Sequence, residues 1–112
     1  AWSVTLVTAR AVVKPGDARA LTDRFTRRSA IHAQATFTTE GNPQAGPVNF
    51  EVKWFNGQRR VATKKISAVV STSPHHVAVQ SSGNAVGEGD CRVEVFADGK
   101  LMASRRFRVD AI

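Results

Sequence analysis

A chain of 112 residues, 42 % hydrophobic and 22 % charged, has the length of one domain and the composition of a folded one, which excludes wholesale disorder. No apolar run approaches the ~18–20 residues that cross a bilayer as a helix, and a single cysteine excludes an internal disulfide. Sixteen Lys and Arg against nine Asp and Glu leave a formal charge of +7, which favours acidic partners where it does more than keep the chain in solution.

Taken in chain order, Val4, Leu6 and Val12-Val13 lie in a β-favouring first segment that stops at the Pro15-Gly16 breaker. Asp17 to Phe25 has helical spacing through Ala18, Leu21 and Phe25, with Asp17 as candidate N-cap, so a short helix or a loop is expected over 17–25. Ile31, Ala33, Ala35 and Phe37 then alternate with His32, Gln34, Thr36 and Thr38, the pattern of a half-buried strand. After the loop "EGNPQAGP", Val48, Phe50, Val52 and Trp54 alternate with Asn49, Glu51 and Lys53. Asn56-Gly57 follows as a two-residue type I′ hairpin turn.

Pairing across that turn sets Val52 opposite Val61, Trp54 opposite Arg59 and Lys53 opposite Arg60. Ile66, Ala68 and Val70 have the other parity from Val61 and Thr63, so a bulge or a switch of sheet is expected near Lys64-Lys65. A strand with Val77 and Val79 and the glycine-rich "SSGNAVGEGD" lead to the closing hairpin "CRVEVFADGKLMASRRFRV". A three-residue loop, Ala97-Asp98-Gly99 with positive φ at Gly99, keeps the apolar residues on one face. It puts Val95 opposite Leu101 and Val93 opposite Ala103, with Cys91, Phe107 and Val109 also inward. Arg92, Glu94, Met102, Ser104 and Arg106 then point outward. About seven strands with no crossover helices predict an all-β antiparallel sandwich, and Trp54 sits where an immunoglobulin-like fold places its core tryptophan.

The segments "VNFEVKWFNGQRRV" and "GEGDCRVEVFADGKLMASRRFRV" resemble small immunoglobulin-like β-sandwich domains of bacterial exported or membrane-anchored proteins of unknown function. The matching residues are Trp54, Gly57, Gly89, Val93, Glu94, Val95, Asp98, Gly99, Ser104, Phe107 and Val109. The likeness covers about half the chain on structural motifs. It implies one immunoglobulin-like domain over 1–112 and an exported protein, and it brings no activity, cofactor or catalytic residue. A start at Ala1-Trp2 is what signal-peptide cleavage before a small residue leaves, as does trimming of a longer chain; the expected location is periplasmic or secreted.

Reactive residues offer little chemistry. His75 and His76 are adjacent in a strand and point to opposite faces, so they cannot chelate one ion, and His32 with His76 would supply only two ligands. Cys91 shares the inward parity of Val93 and Val95, where a thiol stays protonated and inert. Asp17, Asp23, Glu88 and Asp90 fall in turns or loops, as acids there commonly do. No nucleophile elbow, phosphate loop or zinc-protease motif is present. No enzyme, metal or cofactor is expected.

Charge clusters carry more information. Lys53, Arg59, Arg60, Lys64, Lys65, Arg92, Arg106 and Arg108 are the candidate contacts for an anion or partner. A like-charge pair such as Lys53 and Arg60 costs a few tenths of a kcal/mol, tolerable on an edge guarded by charge or opposite an anionic partner. Single-strand nucleic-acid binders need aromatic platforms; the chain has no Tyr and only Phe55 and Phe96 with outward parity, which argues against nucleic acid. The expectation is a non-catalytic interaction module that meets a protein or an anionic glycan at the cell envelope. The alternative is a polyanion-binding protein for lipopolysaccharide, acidic glycan or nucleic acid.

Overall fold

Apolar residues at alternate positions give 31–37, 48–54 and 91–95 one face to bury, and each segment lies in a strand. The computed structural model describes residues 2–41 and 44–111. It arranges the strands in two sheets. One sheet runs, in spatial order, β2 (Ala18–Leu21), β1 (Trp2–Val12), β4 (Ala30–Thr39) and β7 (His75–Ser82). The other runs β3 (Arg24–Thr26), β9 (Lys100–Asp110), β8 (Gly89–Ala97), β5 (Gly46–Asn56) and β6 (Arg59–Val70). Pairing is antiparallel throughout except between β3 and β9. The all-β expectation holds, with nine strands among the described residues rather than about seven.

The two added strands come from the segment expected to be a short helix over 17–25. That expectation is corrected: β2 pairs with β1, and after Thr22-Asp23 the chain crosses to the other sheet as β3. Leu21 is 62 % exposed while Phe25 is 1 % exposed, so the apolar spacing never formed one buried face. Backbone partners settle the matter instead. Thr22 N–H donates to Thr8 O (3.1 Å), and Arg108 N–H donates to Asp23 O (2.7 Å). The hydroxyl of buried Thr8 donates to Thr22 O at 2.6 Å, holding the crossing from below.

Between the sheets lies the core, with Ile31, Ala33, Ala35 and Phe37 from one side and Phe50, Val52, Trp54, Val93 and Val95 from the other. Trp54 meets the edge of Phe107 at 5.9 Å between centroids, and Phe107 meets Phe25 at the same distance. Phe50 packs on Phe37 (5.1 Å) and stacks on His75 (5.8 Å, 15°). Such pairs add to area burial because ring edges and faces carry opposite partial charge.

Hairpin registers differ from expectation in three places. The first turn is Gly57-Gln58, since Asn56 pairs with Arg59; positive φ at Gly57 (58°) and not at Gln58 fits a type II′ turn. The bulge lies at Val61, between the Phe55–Arg60 and Trp54–Ala62 pairs, and not at Lys64-Lys65. Lys53 therefore faces Thr63, and Arg60 faces Phe55. In the closing hairpin Gly99 has the required positive φ (82°), but Asp98 shares it (48°), and Ala97 pairs with Lys100 across a two-residue turn. The Asp98 carboxylate rewards that conformation by accepting from Asn49 N–H at 3.0 Å. A bulge at Met102 then restores parity, so that Val95 faces Ala103 and Val93 faces Arg105. Leu101 points outward beside Phe96, 49 % exposed, whereas Met102 packs against the core. Cys91, Phe107 and Val109 are buried as expected.

Candidate binding face

Each of β5, β8 and β9 turns alternate residues, most of them polar, to the outer face of the five-stranded sheet. The pairings line these residues up across strands. Arg60, Phe55, Arg92 and Arg106 form one row over β6, β5, β8 and β9. Thr63, Lys53, Glu94 and Ser104 form the next, and Lys65, Glu51, Phe96 and Leu101 the one beyond. On the other side of the arginine row, Asp90 faces Arg108, which lies beside Arg24 of β3. Rows of four strands span about 14 Å at the usual strand spacing.

Local partners fix some cations and leave others free. The Arg92 guanidinium lies 4.0 Å from the centre of the Phe55 ring, donates to Gly57 O (2.9 Å) and pairs with Glu94 (3.2 Å). Lys53 Nζ sits 4.4 Å over Phe96 and 3.9 Å from Glu51. Arg108 bridges Asp90 and Asp110, both at 3.0 Å; the bond to Asp110 first, and then that to Asp90, holds its guanidinium more firmly protonated than an ordinary arginine. Arg60, Lys65 and Arg106 make no ion pair among the described residues. A pinned arginine thus stands between two free ones in a single row.

Lys53, Arg60, Lys65, Arg92, Arg106 and Arg108 therefore share this face. Arg59 and Lys64 do not: they lie on the opposite side of β6, paired with Asn56 and Val52. Arg24 joins the face although its sequence position offered no sign of it, because β3 reaches that sheet only through the crossing at Thr22-Asp23. An open groove of about 860 Å³ runs along this end of the face, lined by Arg24, Arg92, Arg106 and Arg108 with Asp23, Asp90 and Glu94. Acids and bases alternate there, so the groove offers paired charges and not a uniform anion cradle.

Cys91 lies beneath the groove. Burial, and next the Asp90 carboxylate, push its thiol pKa up against the opposing pull of Arg108, and Sγ donates weakly toward Gly89 O (3.5 Å) and Gly87 O (3.6 Å). A thiol held protonated in this way lacks the thiolate needed for attack.

On the other sheet, His76 Nδ1 lies 2.9 Å from Thr36 Oγ1 while His32 pairs opposite Gln80. Four residues of strand, about 13 Å, separate the two histidines' levels. No group of three or more His, Cys, Asp or Glu among the described residues could hold a metal ion. The loop "SSGNAVGEGD" contains one short helix, α1 (Gly83–Val86), capped by Ser82, where only a loop was expected. Asn56 Nδ2 ties it down by donating to Val86 O (3.1 Å) and Glu88 O (2.8 Å).

No family profile matches the sequence, and no characterised protein matches it. Similarity appears among solved structures. An immunoglobulin-like protein of Pseudomonas aeruginosa superposes with a TM-score of 0.59 at 13 % identity, over 98 % of this chain and 97 % of that one. A β-glucosidase of Listeria innocua, solved as a mutant with laminaribiose, gives 0.59 at 15 %, the chain corresponding to 16 % of its length. The alkylpurine DNA glycosylase AlkC of Pseudomonas fluorescens, bound to DNA with an abasic-site analogue, gives 0.56 at 13 %, over 30 % of its length. At these identities the likeness concerns the fold, and the fold is an immunoglobulin-like β-sandwich.

Proposed function

We propose that this chain is a non-catalytic binding module whose outer five-stranded face meets an acidic partner, a protein or an anionic glycan. The observation that carries the reading is the row Arg60–Phe55–Arg92–Arg106, with free guanidinium groups on both sides of a pinned one. Fixed and free cations suit recognition: the pinned group is pre-organised, and the free ones can close on carboxylate or sulfate in a forked geometry. The sequence likeness to domains of exported bacterial proteins supports a place at the cell envelope.

A second reading, a binder of extended polyanions, draws on Phe55 and Phe96 sharing the face with the cations and on the likeness to the DNA-bound glycosylase. Against it, Arg92 and Lys53 already cover both rings, leaving no bare stacking platform.

Fluorescence anisotropy with a labelled sulfated octasaccharide tests the face. Arg60→Glu/Arg106→Glu should abolish binding, while Arg10→Glu/Lys14→Glu, at exposed positions of β1 and the turn after it, should leave the residual charge effect only. Equal losses in both variants would refute a localised face. Affinity should fall as salt rises, because the contacts are between exposed charges, and an affinity unchanged by salt would contradict a face that binds through its arginines.

A further inference from the structure

β6 is the outermost strand of its sheet, paired with β5 on one side only. Its 12 residues extend over about 40 Å. Among the described residues, the backbone of Ala62 to Val69 has no hydrogen-bond partner outside that pairing. Beyond the bulge at Val61 the ladder with β5 is regular, and Val69 near its end is 65 % exposed. A long, regular edge is a template for one more strand.

The charges on this strand have a pattern. Arg59-Arg60 and Lys64-Lys65 are two doublets, and neighbours in a strand point to opposite faces. Arg60 and Lys65 stand on the outer face with Phe55 and Glu51, and Arg59 and Lys64 on the other with Asn56 and Val52. None of the four forms an ion pair among the described residues. The open edge is therefore straddled by cations at two levels. Two copies brought edge to edge would face like charges, so these residues oppose self-pairing while attracting an acidic strand.

We infer that β6 takes up an extended acidic segment of a partner protein as an additional strand. Residues opposite one another on adjacent strands share a face, so an acidic doublet on the incoming strand sets one carboxylate toward each member of a basic doublet. The segment that fits has two such doublets roughly four or five residues apart, the bulge at Val61 taking up one position. β-Branched residues between them would cover the stretch from Ala62 to Thr63. Main-chain bonds supply affinity and the doublets supply selection. The inference rests on the acidic-partner reading and adds the partner's conformation and its seat, an edge that shares Arg60 with the arginine row.

The test uses a labelled ten-residue peptide with two Glu-Glu doublets separated by Val and Thr, and the same peptide N-methylated at alternate residues. The parent should bind the full chain, with N-methylation weakening it about tenfold or more, since each lost N–H removes a ladder bond. Lys64→Glu/Lys65→Glu should weaken the parent comparably, and Arg10→Glu, at an exposed position of β1 in the other sheet, should leave it unchanged. Equal binding of both peptides would mean that charge alone attracts them: the edge inference falls and the acidic-face reading stands. Octasaccharide binding with no peptide binding likewise removes the edge and leaves the face. Failure of both probes removes the face and the edge together, and a concentration-dependent dimer lost in Lys64→Glu/Lys65→Glu would show that the edge serves a second copy.

Discussion

Replacing Trp54 by Ala removes the largest fully buried side chain of the molecule. An aromatic of this class buries about 150–250 Å², which at about 25 cal/mol per Å² amounts to roughly 4–6 kcal/mol of transfer free energy. Residual compaction of the unfolded chain lowers that figure by roughly 10–40 %. Loss of the edge contact with Phe107 and an incompletely collapsed cavity act the other way. The expected cost is about 3–5 kcal/mol, a large share of the ~5–15 kcal/mol that stabilises a typical domain. Urea unfolding followed by circular dichroism measures it, with the slope unchanged if the unfolded state is the same. Trp2→Ala provides the contrast, because Trp2 is only half-buried, at the end of the sandwich against Phe37 and Val48. A loss below about 1 kcal/mol at Trp54 would show that the residue does not anchor the core.

Gly83→Ala should cost about 1–3 kcal/mol, because a Cβ there runs into the backbone carbonyl of Thr26, and neither chain segment can yield without moving α1 or β3; an unchanged melting temperature would refute the contact. Cys91 should resist a thiol reagent at neutral pH until denaturant is added, and rapid labelling of the native protein would contradict its burial. Linkage gives the pH dependence its sign. The folded thiol is raised above its ordinary value of 9.0, so its contribution is complete below that pH and disappears as pH rises through the folded value. The stability advantage over Cys91→Ala should shrink in that alkaline window, and an advantage that grew there would mean that folding favours the thiolate.

Period-two alternation in 31–37, 48–54 and 91–95 suffices to place their strands, because each buries one face against the same core. The segment 17–25 misleads because a chain crossing between sheets has no period of its own. Its conformation is set by Thr8, Asp23 and Arg108, residues drawn from two separate strands and the crossing itself. Both hairpins have the expected strands in a different register. Bulges at Val61 and Met102 each shift parity by one residue, and turn chemistry alone does not place a bulge. The site follows the same division. Arg92, Arg106 and Arg108 are legible as one face from parity within their own hairpin. That Arg60 completes their row while Arg59 turns away depends on the Gly57-Gln58 turn, and that Lys65 joins the face while Lys64 turns away depends on the bulge at Val61.

If the outer face of the five-stranded sheet is where binding takes place, the contact can be mapped residue by residue. Backbone amide chemical shifts of the isotopically labelled chain, recorded during titration with the sulfated octasaccharide, supply that map. Shifts are expected at Phe55, Arg60, Arg92, Glu94, Arg106 and their immediate neighbours alone, lost together in Arg60→Glu/Arg106→Glu. Shifts centred on β1, β4 and β7, or scattered over both sheets and unchanged in that variant, would contradict a binding site on this face.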